Sequence, residues 1–207
     1  AKLTVTENLA RGDLLGFETL RTEAGGADTS VANQPLDDAG EEGILSLRRW
    51  SDADTTVQEH IYLQFDLSKC PIPKQQIDRT VLMLTLEEGS HQGRSTVKAY
   101  GVPDGSLPSW EDTGPRPLTW DQVPSRDGVE SLPLLAQTTL DNAGDALAQV
   151  VDAVRIFGPD LDDFLRSAPG DMVTIVLVRE EVAEAPTRFR AKEGKREKAP
   201  ALAFRQR

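Results

Sequence analysis

The stretch that most constrains the fold is HIYLQFDLS, residues His60 to Ser68. Its apolar positions are Ile61, Leu63, Phe65 and Leu67, and they alternate with His60, Tyr62, Gln64 and Asp66. Because successive side chains of a strand point to opposite faces, this alternation predicts a β-strand with one face in a core and the other in solvent. Pro71 and Pro73 follow closely, and proline cannot donate to a strand ladder, so the strand is expected to end before them.

Short segments with the same character recur along the whole chain, separated by turns rich in Gly, Pro, Ser and Asp. Further strands are predicted at 27–33, 44–50, 77–86, 94–102, 132–139, 150–157, 172–179, 187–192 and 201–204. One short helix is predicted at 161–166, after Gly158-Pro159-Asp160. Strands do not alternate with long helices, which argues against a parallel α/β sheet. The pattern is typical of an all-β sandwich or barrel.

Composition limits both the core and the partners. A chain of 207 residues can form one all-β domain, and with 5% aromatic residues its core must be built from Leu, Val and Ile. Cys70 is the single cysteine, so no internal disulfide forms, and we expect a free thiol without a catalytic role. No apolar run reaches the roughly 18 residues of a membrane span. The net charge of −11 argues against nucleic acid as a partner.

A set of short motifs in a fixed order resembles a known family. The pieces are Ala27-Asp28-Thr29-Ser30-Val31, Gly43 to Arg48, Ile61 to Ser68, Ile77 to Leu86, Val97 to Val102, Trp110-Glu111, Leu118-Thr119-Trp120 with Pro124, Leu161 to Arg166, Val173 to Val178, and Phe189 to Glu193 followed by Pro200-Ala201-Leu202. Together they resemble the DNRLRE-type modules, which are related to carbohydrate-binding module family 96 and to disaggregatase-related domains. The resemblance covers roughly residues 27 to 205.

This resemblance implies a jelly-roll-like antiparallel β-sandwich with one short helix, secreted from the cell, that binds polysaccharide. Alginate is the best-known ligand class of the family. The implied organisation is an N-terminal extension, residues 1–26, packed on the sandwich edge, and a single binding module, residues 27–207. An attached or co-secreted carbohydrate-active enzyme is the expected partner. The chain departs from the family where Gln64 replaces a frequent Lys, where Gln58-Glu59 replace an Arg, and where Ala191 replaces a Ser.

Basic and aromatic side chains share the outward phase of several predicted strands. The candidate ligand-binding residues are Arg48, Trp50, His60, Tyr62, Gln64, Arg188, Arg190 and Lys192. Arginine forks match carboxylates bidentately, and aromatic rings offer flat apolar area to sugars, so this face is predicted to bind an acidic, uronate-type polysaccharide. The alternative is an ordinary solvated sheet face, since outward Arg and Lys are common on any surface.

Other residues allow weaker hypotheses. Trp110 and Trp120 lie in the Pro-rich stretch 103–127, where packing at one end of the sandwich is favoured over sugar stacking. A structural calcium is possible at five acidic residues, although no EF-hand loop is present: Asp28, Asp37, Asp38, Glu41 and Glu42. No catalytic motif and no cofactor site is evident, so no catalytic residue is predicted. A structural or adhesion module without glycan binding is the main alternative function, and a lyase or hydrolase is the third.

Overall fold

The computed structural model describes residues 14, 16–35, 43–87, 93–111, 116–142, 153–194 and 198–207. Its strands are β1 (Glu18–Arg21), β2 (Ala27–Ala32), β3 (Ile44–Ser51), β4 (Thr56–Asp66), β5 (Ile77–Thr85), β6 (Gly93–Val102), β7 (Leu134–Asn142), β8 (Ala153–Ile156), β9 (Met172–Arg179), β10 (Ala183–Arg190) and β11 (Ala201–Gln206). The one α-helix among the described residues, α1 (Pro159–Ser167), precedes β9. No helix in the described ranges is both long and apolar enough to cross a membrane.

The strands form two antiparallel sheets. The small sheet has the order β1-β11-β5-β8, and the large sheet has the order β10-β3-β4-β9-β6-β7, with β2 added beside β4. The chain passes between the sheets after β1, β4, β5, β7, β8 and β10. The structure therefore confirms the predicted all-β antiparallel sandwich with one short helix.

The main core contains apolar residues from both sheets. Ile61, Leu63 and Phe65 of β4 are fully buried in it, together with Leu82 of β5 and Phe204 of β11. Leu67 is also buried, but it lies in a 3-10 turn that follows the strand, where the Asp66 carboxylate accepts a hydrogen bond from the Ser68 backbone N–H. The apolar half of the predicted alternation is thus confirmed.

β2 lies beside both β3 and β4 of the large sheet. It pairs with residues 59–64 of β4, whereas β3 pairs with residues 56–59 of the same strand. Ser30 Oγ accepts a hydrogen bond from Ser46 N (2.7 Å) and lies 3.2 Å from Ser46 O, so β2 joins β3 through a side chain. The turn before β2 requires glycine, because a Cβ at Gly26 would lie 2.0 Å from Gln64 O.

A second apolar cluster covers the outer face of the large sheet. The residues between β6 and β7 that the structure describes, 103–111 and 116–133, are here called the covering segment. The sheet contributes to this cluster Ala27, Val31, Tyr62, Val102, Val176 and Val178. The covering segment contributes Trp110, Leu118, Val123 and Leu132. Two 3-10 turns, Trp120–Gln122 and Pro124–Asp127, lie within it. The expectation that β4 exposes its second face to solvent is wrong at His60 and Tyr62, because this segment packs over them.

Candidate functional site

A buried polar network fastens the covering segment to the sheet. Ser125 Oγ lies 2.8 Å from His60 Nδ1 and 2.7 Å from the Tyr62 hydroxyl. His60 is 6% exposed, and Tyr62 and Ser125 are fully buried. The Trp120 ring packs against the His60 ring with centroids 5.1 Å apart. His60 and Tyr62 are therefore structural residues, and a polymer on the surface cannot reach them in this conformation.

Burial also fixes the charge state of both rings. Desolvation, together with the smaller effect of the nearby positive charge of Arg49, lowers the pKa of His60 from 6.5 to about 4. Desolvation raises the pKa of Tyr62 to about 12 against the opposing effect of its hydrogen bonds to Ser125. Both side chains are consequently neutral at pH 7, which suits a buried hydrogen-bond network and removes His60 as a positive contact for an anionic ligand.

Three of the predicted cationic residues interact with other parts of the protein. Arg48 lies opposite Glu59 in the β3–β4 register, with Nε 3.7 Å from Oε2. Arg190 Nη2 donates to Glu87 Oε1 at 2.8 Å. Lys192 Nζ donates to the carbonyl of Gly26 at 3.0 Å, and its backbone N–H donates to the buried Asp28 carboxylate. Part of the basic charge predicted for the ligand face is thus balanced within the molecule.

The pairing of β3 with β10 still brings arginines together at one edge of the large sheet. Arg188 lies directly opposite Ser46, and Arg190 lies opposite Ile44. We define the arginine strip as three arginines and one tryptophan at alternate positions of these two strands: Arg48, Trp50, Arg188 and Arg190. Trp50 is half-buried opposite Val57.

Arg49 lies between Arg48 and Trp50 in β3, beside this strip, and was not among the predicted ligand-binding residues. It is exposed, and its Nη1 donates to the carbonyl of Glu180 at 2.8 Å. The available signal was the consecutive pair Arg48-Arg49 immediately before Trp50. The register of β3 with β4 places Arg49 opposite Gln58, two residues before His60, and the charge of Arg49 contributes to the lowered pKa of the His60 ring.

Gln64 lies apart from the strip, in a cleft of about 270 Å³ on the outer face of the large sheet. It is half-buried and pairs directly with Thr174 of β9, which in turn pairs with Val102 of β6. The cleft is lined by Gln64, Val102, Pro103, Asp104, Gly105, Leu107, Pro108, Ser109, Trp110, Met172 and Thr174. The predicted ligand residues are therefore divided between two places, with His60 and Tyr62 covered between them.

The two loop tryptophans pack on the outer face of the large sheet rather than at one end of the sandwich. Trp110 is 5% exposed and belongs to the outer apolar cluster, while Trp120 is half-buried against His60. The Trp110 Nε1 donor is buried and has no hydrogen-bond acceptor within the described ranges. These positions agree with the prediction that the two tryptophans serve packing. The predicted location at one end of the sandwich was wrong.

The described residues contain no group of three or more His, Cys, Asp or Glu side chains arranged to hold a metal. Of the five acidic residues considered for calcium, Asp28 is buried and accepts a 2.6 Å hydrogen bond from Thr22 Oγ1. Asp37, Asp38, Glu41 and Glu42 lie outside the described residues. Cys70 is a half-buried free thiol whose pKa is raised by burial, so little reactive thiolate forms at neutral pH.

Comparison with models of known protein families gives no match, and a search of curated proteins gives none either. The resemblance to DNRLRE-type modules therefore remains a prediction that rests on the ordered motifs of the sequence.

Proposed function

We propose that this protein is a non-catalytic carbohydrate-binding module that binds an acidic, uronate-type polysaccharide through the arginine strip. The observation that carries the proposal is the pairing of β3 with β10, which gathers the strip at one edge of the large sheet. Guanidinium groups bind carboxylates through paired hydrogen bonds, and Trp50 supplies apolar area beside them. The ordered motifs that resemble those of polysaccharide-binding modules support the same ligand class.

The charges around the strip predict modest, salt-sensitive affinity. Glu59 and Glu87 balance part of the positive charge of Arg48 and Arg190. An exposed ion pair contributes only about 0–1 kcal/mol, so several arginines must act together to hold a chain. The net charge of −11 repels a polyanion at a distance, but screening confines that repulsion to roughly 8–10 Å at physiological salt.

Such a module would position an enzyme near its substrate and would not catalyse a reaction itself. An enzyme attached to it, or secreted with it, would be held near a polymeric substrate at a raised effective concentration. The competing function is a structural or adhesion module that binds no glycan. Both functions are compatible with a secreted protein, and they differ only in whether a polysaccharide binds.

Affinity electrophoresis in gels containing alginate tests the proposal. The wild-type protein should be retarded at low salt and less so at 0.15 M salt. Arg188→Gln with Arg190→Gln should abolish the retardation, because the change removes two positive charges from the strip. Arg48 is left intact, because its removal would take an ion-pair partner from the buried Glu59 and confuse binding with folding.

The matched control is Arg205→Gln with Arg207→Gln, which removes the same charge at the end of β11 in the small sheet. This control should be retarded like the wild type. Equal loss in both double variants would show a general charge effect, and unchanged retardation in the strip variant would refute the strip. Absence of any retardation would favour the structural module, and release of unsaturated sugar ends would reveal a lyase.

A further inference from the structure

The cleft beside Gln64 is a site of different character from the arginine strip. Its floor is a row of paired residues on three adjacent strands, Gln64 of β4, Thr174 of β9 and Val102 of β6. Its wall is the first part of the covering segment, from Pro103 to Trp110. Rigid strands thus form one side of the cleft and a turn-rich segment the other, which leaves a concave surface that the covering segment does not fill.

The lining mixes polar and apolar groups and carries negative rather than positive charge. Amide, hydroxyl and carboxylate groups come from Gln64, Thr174, Ser109 and Asp104, and apolar surface comes from Pro103, Leu107, Pro108, Trp110 and Met172. Asp104 is the one charged residue among the lining side chains that the structure describes. A carboxylate at this place disfavours an anionic ligand, so the uronates expected at the arginine strip do not suit the cleft.

Trp110 provides an independent sign that an acceptor belongs here. Its indole is 5% exposed, it lines the cleft, and its Nε1 donor has no acceptor within the described part of the chain. A buried donor left without an acceptor is costly and uncommon in folded proteins, which makes it a marker for a missing partner. An oxygen atom of a bound molecule would supply that acceptor.

The size of the cleft limits the bound molecule. Its volume of about 270 Å³ is slightly below the roughly 300–1,000 Å³ typical of pockets for drug-sized ligands. A ligand of this size with hydroxyl oxygens around its rim and apolar C–H faces would satisfy both kinds of lining. We propose that the cleft binds one residue of a neutral sugar chain, with its hydroxyl groups near Gln64, Thr174, Asp104 and the Trp110 N–H. This inference does not depend on the arginine strip.

The test uses the full chain labelled with ¹⁵N and follows the side-chain N–H signals of its tryptophans by NMR. Maltose, cellobiose, xylobiose and mannobiose are the neutral probes, and an alginate oligomer is the acidic one. At least one neutral disaccharide should shift the Trp110 indole signal in a saturable way, and the alginate oligomer should leave it in place. Trp110→Phe identifies the signal by removing it.

Two cleft variants and one control make the result specific. Gln64→Ala and Thr174→Val should each weaken the neutral sugar about three- to tenfold, the loss expected for one hydrogen bond. Asp121→Asn alters a polar side chain on an exposed part of the covering segment outside the cleft and should bind like the wild type. No shift with any neutral disaccharide, or wild-type affinity for the sugar in both Gln64→Ala and Thr174→Val, would overturn the proposal.

Discussion

His60 shows how one covered side chain makes the stability of the molecule depend on pH. Its imidazole is buried between Ser125 and Trp120, where the protonated form would lose its hydration and lie near the charge of Arg49. In the unfolded chain the same ring binds a proton near pH 6.5, whereas in the folded protein it does so near pH 4. Between these values the unfolded state holds more protons, so stability must rise with pH across this window.

We therefore expect the free energy of unfolding to fall as pH decreases from 6.5 to about 4, by about 3 kcal/mol from this group. Urea unfolding at half-unit pH steps measures the loss. His60→Gln cannot titrate, so its curve should be flatter across the same window, although its overall stability is lower. If the two curves run parallel, then other groups cause the acid sensitivity and the neutral state assigned to His60 is wrong.

Among the elements, the covering segment has the largest effect on what the large sheet can do. In a simple sandwich the outer face of this sheet would be solvated. Here Leu118 and Val123 pack over β4 and β9 and form a second apolar cluster with them. The outer surface left for ligands is consequently divided. The arginine strip lies on one side at β3 and β10, and the cleft lies on the other side at the ends of β4, β6 and β9.

Leu118→Ala should loosen the covering segment without unfolding the sandwich. Leu118 is 7% exposed, and truncation of a buried leucine costs about 2 kcal/mol where the surroundings can relax. Urea unfolding measures this loss, and the fluorescence of Trp120 should move toward that of an exposed indole. Val182→Ala is the control, because Val182 is 54% exposed, and it should change stability by less than about 0.5 kcal/mol. Equal losses in the two variants would contradict the assigned packing.

Sequence patterns predicted the strands more reliably than they predicted which outer side chains are exposed. Alternation within β4 was sufficient to predict which side of Ile61 and Leu63 faces the main core, because that information is local to the strand. It could not show that Tyr62 is covered, since the covering segment comes from a distant part of the chain. Tyr and His tolerate burial when their polar atoms find partners, so their polarity alone did not indicate exposure.

The candidate site was less predictable for a related reason. Arg48 and Arg190 were identified as outward cations, but their pairing with Glu59 and Glu87 depends on the register between strands and on an irregular segment after β5. A single strand contains no information about the residue opposite it. The outward phase of Arg188 relative to the inward Phe189 was predictable, because both lie on the same strand.

At the scale of the whole molecule, the excess of acidic residues should make stability increase with ionic strength. A net charge of −11 on a folded protein produces repulsion between its acidic side chains. Salt at 0.1 M screens this repulsion between charges more than roughly 10 Å apart. The melting temperature at pH 7 should therefore rise between 0.01 and 0.15 M sodium chloride, whereas alginate binding should weaken over the same range. Potassium chloride should give the same rise. A falling melting temperature would mean that surface ion pairs such as Arg205–Asp78 outweigh the repulsion.

The position of β11 has a consequence for how the chain assembles. β11 lies between β1 and β5 in the small sheet, and Glu18 pairs with Phe204, so strands from distant parts of the chain are neighbours. Pairings between such distant segments form slowly, because a long loop must close before any contact compensates for the lost entropy. During synthesis β1 has to wait, unpaired, until β11 is made. Until then β5 has an open edge that another copy of the chain can occupy, and aggregation competes with folding in that interval.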